Sequence, residues 1–121
     1  MILVDTSIWV DHLRKGDAAL AAALKANRVA THPFVIGELA CGELRARDQI
    51  LSLLRSLPKV PTATDEEALQ FLERRRLYGR GLGYIDVHLL AAASLHRDGG
   101  LWTRDKRLNA AAAELHLSHS E

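Results

Sequence analysis

The sequence predicts an α/β fold in which a small, mostly parallel sheet is covered by helices on both faces. Three observations carry that prediction. Short apolar runs alternate with stretches of helical periodicity, beginning with Ile2-Leu3-Val4 and recurring at Leu101-Trp102-Thr103. No tight hairpin signal joins one run to the next, so the strands need crossover connections and run parallel. The segment 84–97 is almost wholly apolar, as a helix buried against other elements must be.

Taken in order, Ile2-Leu3-Val4 is partly β-branched and short enough for one strand buried on both faces. Residues 7–14 read as a short helix closed by Lys15-Gly16, and 18–26 as a second helix rich in Ala and Leu. A turn at Gly16-Asp17 makes the two a helical hairpin. A short strand is expected within 28–31. His32-Pro33 then opens a helix over about 34–44, with proline near the first position, where its missing N–H is not needed. Residues 48–57 form another helix, stopped before Pro58. Residues 59–63 are expected as a strand that Pro58 and Pro61 confine to a sheet edge.

Thr64-Asp65-Glu66-Glu67 is a helix start: Thr64 caps, Glu67 closes the capping box, and the acids suit the helix dipole. That helix is expected to end near Tyr78-Gly79. Residues 80–83 form a loop into the apolar helix 84–97, and Asp98-Gly99-Gly100 turns the chain. The strand Leu101-Trp102-Thr103 is stopped by Arg104-Asp105. A helix over 106–114 follows, with a last short strand at 115–117. No linker or repeat interrupts this pattern, so 1–121 is expected to be one domain.

Composition narrows the function classes. Lys and Arg number 16 against 15 Asp and Glu, a net charge of +1, so nucleic-acid binding must come from local patches rather than from overall charge. The single cysteine, Cys41, rules out an internal disulfide and multi-cysteine metal sites. A reducing, cytoplasmic setting is the simplest expectation. No signal peptide is evident, and no apolar run approaches the ~18 residues that span a bilayer.

Four of the acids stand where acids do not ordinarily stand. Asp5 ends the first strand. Asp105 follows the strand at 101–103 in the same way, and each has a hydroxyl two residues off, Ser7 after one and Thr103 before the other. On its own stretch Asp5 reads equally as a helix cap or as a ligand at the carboxyl edge of a sheet. Glu38 has Phe34, Val35, Cys41 and Gly42 as its helical neighbours at 100° per residue, an apolar face expected to turn it towards the core, whereas Glu43 points away. Asp86 sits on the stripe of Leu89, Leu90 and Ala93.

In a parallel α/β layer, strand ends and the first turns of the following helices meet at one edge, so all four acids belong to one crevice. An expected radius of gyration of only ~14 Å makes that convergence easy. Two unit charges ~4 Å apart repel by about 4 kcal/mol at an effective dielectric near 20. Protonation or a hard divalent cation must relieve this. All-oxygen donors suit Mg²⁺ or Mn²⁺ rather than zinc, and such a site serves phosphodiester hydrolysis.

Val4-Asp5-Thr6-Ser7, the Glu38 helix, Asp86 within Gly83-Tyr84-Ile85-Asp86-Val87-His88-Leu89-Leu90-Ala91-Ala92, and Trp102-Thr103-Arg104-Asp105 together resemble a PIN domain, in particular the VapC-type toxins of bacterial toxin–antitoxin pairs. The resemblance covers essentially the whole chain. It implies a three-layer α/β/α sandwich with the Asp5 strand central, and an endoribonuclease dependent on Mg²⁺ or Mn²⁺ that hydrolyses RNA with a metal-activated water. Asp5, Glu38, Asp86 and Asp105 match the family's catalytic, metal-holding acids, and Ser7 and Thr103 match hydroxyls that orient them. A small VapB-like antitoxin, often blocking the site with an arginine, and a homodimer are implied as partners.

Other features weigh less. Six histidines invite a zinc reading, but no His-x-x-x-His pair with a nearby acid occurs, and His88 lies across its helix from Asp86; surface or core-edge roles are expected. Arg74-Arg75-Arg76 reads as a solvated helix end. Arg80, Arg104 and Lys106 are candidate phosphate contacts, the last two nearest Asp105 in sequence. Gly79-x-Gly81-x-Gly83 follows a helix rather than a strand and so is no dinucleotide fingerprint. Trp9 is expected in the core. The apolar hairpin at 8–26 serves either an antitoxin or the burial of Leu20 and Leu24. Rival readings are a haloacid-dehalogenase-like phosphatase, which needs an Asp where Ser7 stands, a non-catalytic PIN-like RNA-binding or adaptor module, and a PIN nuclease without an antitoxin.

Overall fold

A computed structural model of the chain describes residues 1–96 and 98–120. Arg97, expected as the last residue of the apolar helix, lies outside the described residues. Three strands, β1 (Ile2–Val4), β2 (Val29–Ala30) and β3 (Leu101–Trp102), form a sheet in the order β2-β1-β3. Both pairings are parallel, with Leu3 opposite Ala30 on one side and Leu101 on the other. The strand that ends at Asp5 is therefore central. All three residues of β1 are buried. Because successive side chains point to opposite faces, helices must cover both.

The helices are α1 (Thr6–Lys15), α2 (Ala18–Lys25), α3 (Pro33–Ala40), α4 (Arg47–Ser56), α5 (Asp65–Arg74), α6 (Tyr84–His96) and α7 (Lys106–Glu114). Helix α1 packs on α3, α3 on α4, α5 on α6, and α6 on β3. Trp9, Leu20, Leu89, Leu90 and Trp102 fill the centre of the core. Burial of Leu20 explains the apolar face of the α1–α2 hairpin, and Leu24 is half-buried against the same cluster.

Helix starts fall close to expectation, and so do most ends; those of α3 and α5 do not. Helix α3 stops at Ala40 rather than at 44, where the Arg47 side chain donates to the carbonyls of Ala40 and Gly42 at 2.7 and 3.2 Å and satisfies carbonyls that helix continuation would have used. Helix α5 stops at Arg74 rather than near Tyr78. Arg76 takes a left-handed φ of 55°, and the Leu77 N–H closes back onto the Leu72 carbonyl at 3.0 Å. The edge strand expected at 59–63 contracts to a single parallel bridge between Lys59 and Thr31, beside β2. The last strand expected at 115–117 is likewise one bridge, from Ser118 to Leu101. His116 is left-handed, and the Leu117 N–H closes α7 on Ala112 at 2.7 Å.

Candidate active site

The carboxyl edge of the sheet gathers the acids that the sequence singled out. Asp5 leaves β1 with its N–H on the Trp102 carbonyl at 2.9 Å, which fixes it to the β3 ladder. Its side chain is only 7% exposed. Three donors converge on its Oδ2: Thr103 Oγ1 at 2.7 Å, Ser7 Oγ at 2.8 Å and the Ser7 N–H at 3.4 Å. The last makes Asp5 the N-cap of α1. The cap and ligand readings of this residue are thus not alternatives.

The hydroxyls are themselves held. Ser7 Oγ accepts from the Arg104 N–H at 3.1 Å, and Thr103 Oγ1 accepts from the Asp105 N–H at 3.1 Å. Asp105 is exposed and caps α7 by accepting the Leu108 N–H at 2.9 Å. Asp86 lies in the first turn of α6 and accepts the Gly83 N–H at 2.9 Å. Three of the four acids therefore stand at the N-terminal ends of helices, where free N–H groups and the positive end of the helix dipole favour negative charge.

Glu38 corrects an expectation. It does not face the core; it is exposed, as are Phe34, Cys41 and Gly42 on the same side of α3. The buried face of this short helix runs instead through Val35 and Leu39. Glu38 turns back across the crevice, where its Oε1 accepts the Thr6 hydroxyl at 2.7 Å.

The electrostatics of Asp86 show that the four acids share one field. Burial pushes its carboxyl above the ordinary carboxylate range, and the charges of Asp5, Asp105 and Glu38 push it further up. The Gly83 N–H offsets part of this. Such a cluster invites a cation, and its all-oxygen donor set suits a hard one. Among the described residues, no three potential ligands close around a single point in these side-chain positions. An Mg²⁺ or Mn²⁺ site does not require that, since Mg²⁺ takes one or two carboxylates and keeps several waters. The residues fit such an ion, with Asp5 and Asp86 as its most enclosed donors.

The basic candidates divide. Arg104 points its guanidinium to Asp11 Oδ2 at 2.8 Å and Asp17 Oδ2 at 2.5 Å, tying the α1–α2 hairpin to the β3–α7 junction. Arg80 reaches Glu114 Oε2 at 2.7 Å. Lys106 is exposed at the first position of α7, next to Asp105. Sequence reasoning missed the Thr6–Glu38 bond and the Asp11 and Asp17 anchors. A hydroxyl at position 6 was the only visible trace of the first. The histidines hold no metal cluster among the described residues. His88 is buried with its Nε2 3.2 Å from Asp65 Oδ1, an oxygen that also accepts the Tyr84 hydroxyl at 2.8 Å. A groove of about 460 Å³ opens beside Glu38, with Val10, Leu13, Leu44 and Ile50 in its wall.

Comparison with known proteins agrees with this geometry. The family model of the PIN domain matches residues 2–114. Over 121 residues, all of this chain and 98% of the relative, the sequence is 49% identical to Ribonuclease VapC32 from each of two strains of Mycobacterium tuberculosis. Among solved structures, PAE2754 from Pyrobaculum aerophilum matches with a TM-score of 0.64, covering 92% of this chain and 84% of that one. At 20% identity that likeness speaks for the fold alone. Sequence, fold and acid cluster agree, and the chain belongs to the PIN-domain family, in its VapC ribonuclease branch.

Proposed function

We propose that this chain is the toxin of a toxin–antitoxin pair and acts as an endoribonuclease dependent on Mg²⁺ or Mn²⁺. The observation that carries the reading is the gathering of Asp5, Glu38, Asp86 and Asp105 at one sheet edge, with Asp5 oriented by Ser7 and Thr103, Glu38 by Thr6 and Asp86 by the Gly83 N–H. A divalent cation held there would supply positive charge beside the scissile phosphate and lower the pKa of a bound water. Asp5 and Asp86 would hold it, with Glu38 and Asp105 completing the acidic wall. Ser7 and Thr103 keep the Asp5 carboxylate in one orientation, so little reorganisation is needed when the substrate arrives. Lys106 is the basic residue proposed to touch a backbone phosphate. Arg80 and Arg104 would have to exchange their carboxylate partners to do the same.

The same reading takes residues 1–121 as one nuclease domain, working in the cytoplasm as a homodimer held in check by a VapB-like antitoxin. No helix among the described residues is long and apolar enough to cross a membrane. An inhibitory segment seated in the groove beside Glu38 would cover that acid.

The test is cleavage of a structured RNA by the purified chain with Mn²⁺ or Mg²⁺, against Asp5→Asn. Loss of the Asp5 charge is expected to lower the rate at least about 100-fold, near the upper range for disrupted metal ligation, with the circular-dichroism spectrum unchanged. Full activity in a folded Asp5→Asn protein rejects the reading. Co-expression with the product of an adjacent small reading frame is expected to abolish cleavage.

A further inference from the structure

We propose that Thr6 is a positioning residue that fixes the Glu38 carboxylate at the acid cluster, an inference that rests on the metal-dependent nuclease reading above. Glu38 is exposed on α3, and its side chain has three rotatable bonds. The Thr6 hydroxyl reaches it at 2.7 Å across 32 positions of sequence, a length typical of a hydroxyl on a charged oxygen.

The donor is the stiff member of the pair. Thr6 is β-branched, so its χ1 is restricted. It follows Asp5 directly, and Asp5 is pinned to β3 through its N–H and to Ser7 and Thr103 through its carboxylate. Helix α1 packs on α3, which keeps the two residues within reach. Capping does not account for the Thr6 hydroxyl: Asp5 supplies the N-cap of α1, and Thr6 is its first helical residue. Two neighbouring hydroxyls thus divide the work. Ser7 orients the acid on the central strand, and Thr6 orients the acid on α3. In this way a single turn of chain after β1 sets two carboxylates carried by different elements.

The consequence for the cation is direct. An exposed, untethered Glu38 would spend most of its time in rotamers turned to water, and the cluster would meet an incoming ion with one donor fewer. The experiment measures Mn²⁺ binding to the RNA-free protein by isothermal titration calorimetry in wild type, Thr6→Val, Thr6→Ser, Glu38→Gln and the Thr6→Val/Glu38→Gln double variant, with Thr6→Ala replacing Thr6→Val should the valine variant not fold. Thr6→Val is expected to weaken Mn²⁺ binding about 10-fold, the scale of an orienting partner's loss. Thr6→Ser is expected to recover to within about twofold, and Thr6→Val to add nothing in the Glu38→Gln background. Wild-type affinity in Thr6→Val, an equal loss in the Glu38→Gln background, or failure of serine to rescue overturns the assignment. So does a wild type that binds no Mn²⁺. RNA cleavage by wild type is scored in parallel: binding without cleavage rejects the nuclease reading and leaves the Thr6 comparison decisive on its own.

Discussion

His32 is a buried residue whose role the sequence did not disclose. Its ring is 1% exposed and its Nδ1 accepts the Phe34 N–H at 3.0 Å, so it serves as the N-cap of α3 and carries the neutral ring's proton on Nε2. Burial, together with the charge of nearby His88, lowers its pKa from 6.5 to about 4. Protonation would remove the capping lone pair and place a cation at the positive end of a helix dipole. The unfolded chain takes up this proton near pH 6.5 and the folded chain only near pH 4. The His32 contribution to stability is therefore lost as pH falls through that window, by at most about 3 kcal/mol, and that contribution changes no further below it. Urea midpoints at pH 7 and 4.5 should show this. Asn at position 32 caps without titrating, so His32→Asn should flatten the difference; an unchanged slope assigns it to other groups. Asp86 was legible at this scale because an acid on an apolar stripe breaks a local rule, whereas Glu38 was singled out on a core-facing expectation that its exposure reverses. His32 broke no such rule, since a histidine before a proline looks like any turn residue.

Among the elements, helix beginnings were readable, and so were most ends, but those of α3 and α5 were not. The capping box of Thr64 and Glu67 is present as written in the sequence, with bonds of 3.1 and 2.9 Å. It uses residues adjacent in the chain. The end of α3 depends on Arg47 and that of α5 on a left-handed Arg76, features of backbone path rather than of residue type. The turn from α6 into β3 makes the same point through glycine. A Cβ on Gly99 (φ +89°) would lie 2.1 Å from the Met1 carbonyl oxygen, at the very start of the central strand. Gly79 has a similar φ of +70° and open space around it. Gly79→Ala is expected to cost about 1–2 kcal/mol, the left-handed penalty alone. Gly99→Ala must also displace backbone and should cost more than twice as much, or prevent folding. Equal urea midpoints for the two variants would show that the β1 edge yields to the extra carbon.

Across the whole molecule the sheet edge is an arrangement of opposing charges. Asp5, Asp86 and Asp105 stand on helix N-termini, and Arg104 braces the hairpin through Asp11 and Asp17, yet burial, with the charges of Asp5, Asp105 and Glu38 added, still raises the Asp86 carboxyl. A cation that binds only the folded state stabilises it by mass action, about 2.7 kcal/mol at a hundred times its Kd, which raises Tm by roughly 10 °C for a chain of this size. Differential scanning calorimetry with and without Mn²⁺ should show that rise in wild type. Asp86→Asn keeps an oxygen for the Gly83 N–H and removes a charge that burial and the neighbouring acids disfavour. Without Mn²⁺ it should therefore melt at or above the wild-type temperature, and with Mn²⁺ it should lose most of the increment. An increment retained in Asp86→Asn places the ion elsewhere.

The sequence by itself determined the α/β class, the helix starts and which acids to watch, because these depend on periodicity and on residues close together in the chain; that the Asp5 strand is central came from the family resemblance and is borne out by the sheet order β2-β1-β3. It also pointed to Trp9 as a core residue, whereas for Leu20 it left burial and an antitoxin surface both open, and the fold decided for burial. Tertiary structure alone decided what those acids do with their oxygens. Glu38 faces the crevice and not the core, because a short α3 buries Val35 and Leu39 and leaves its other side open. Thr6 meets Glu38, Thr103 meets Asp5, and Arg104 meets Asp11 and Asp17 across separations of 32, 98, 93 and 87 positions. Hydrogen bonds of that kind have no signature in local sequence. They exist only once three parallel strands have brought the ends of distant helices to one edge.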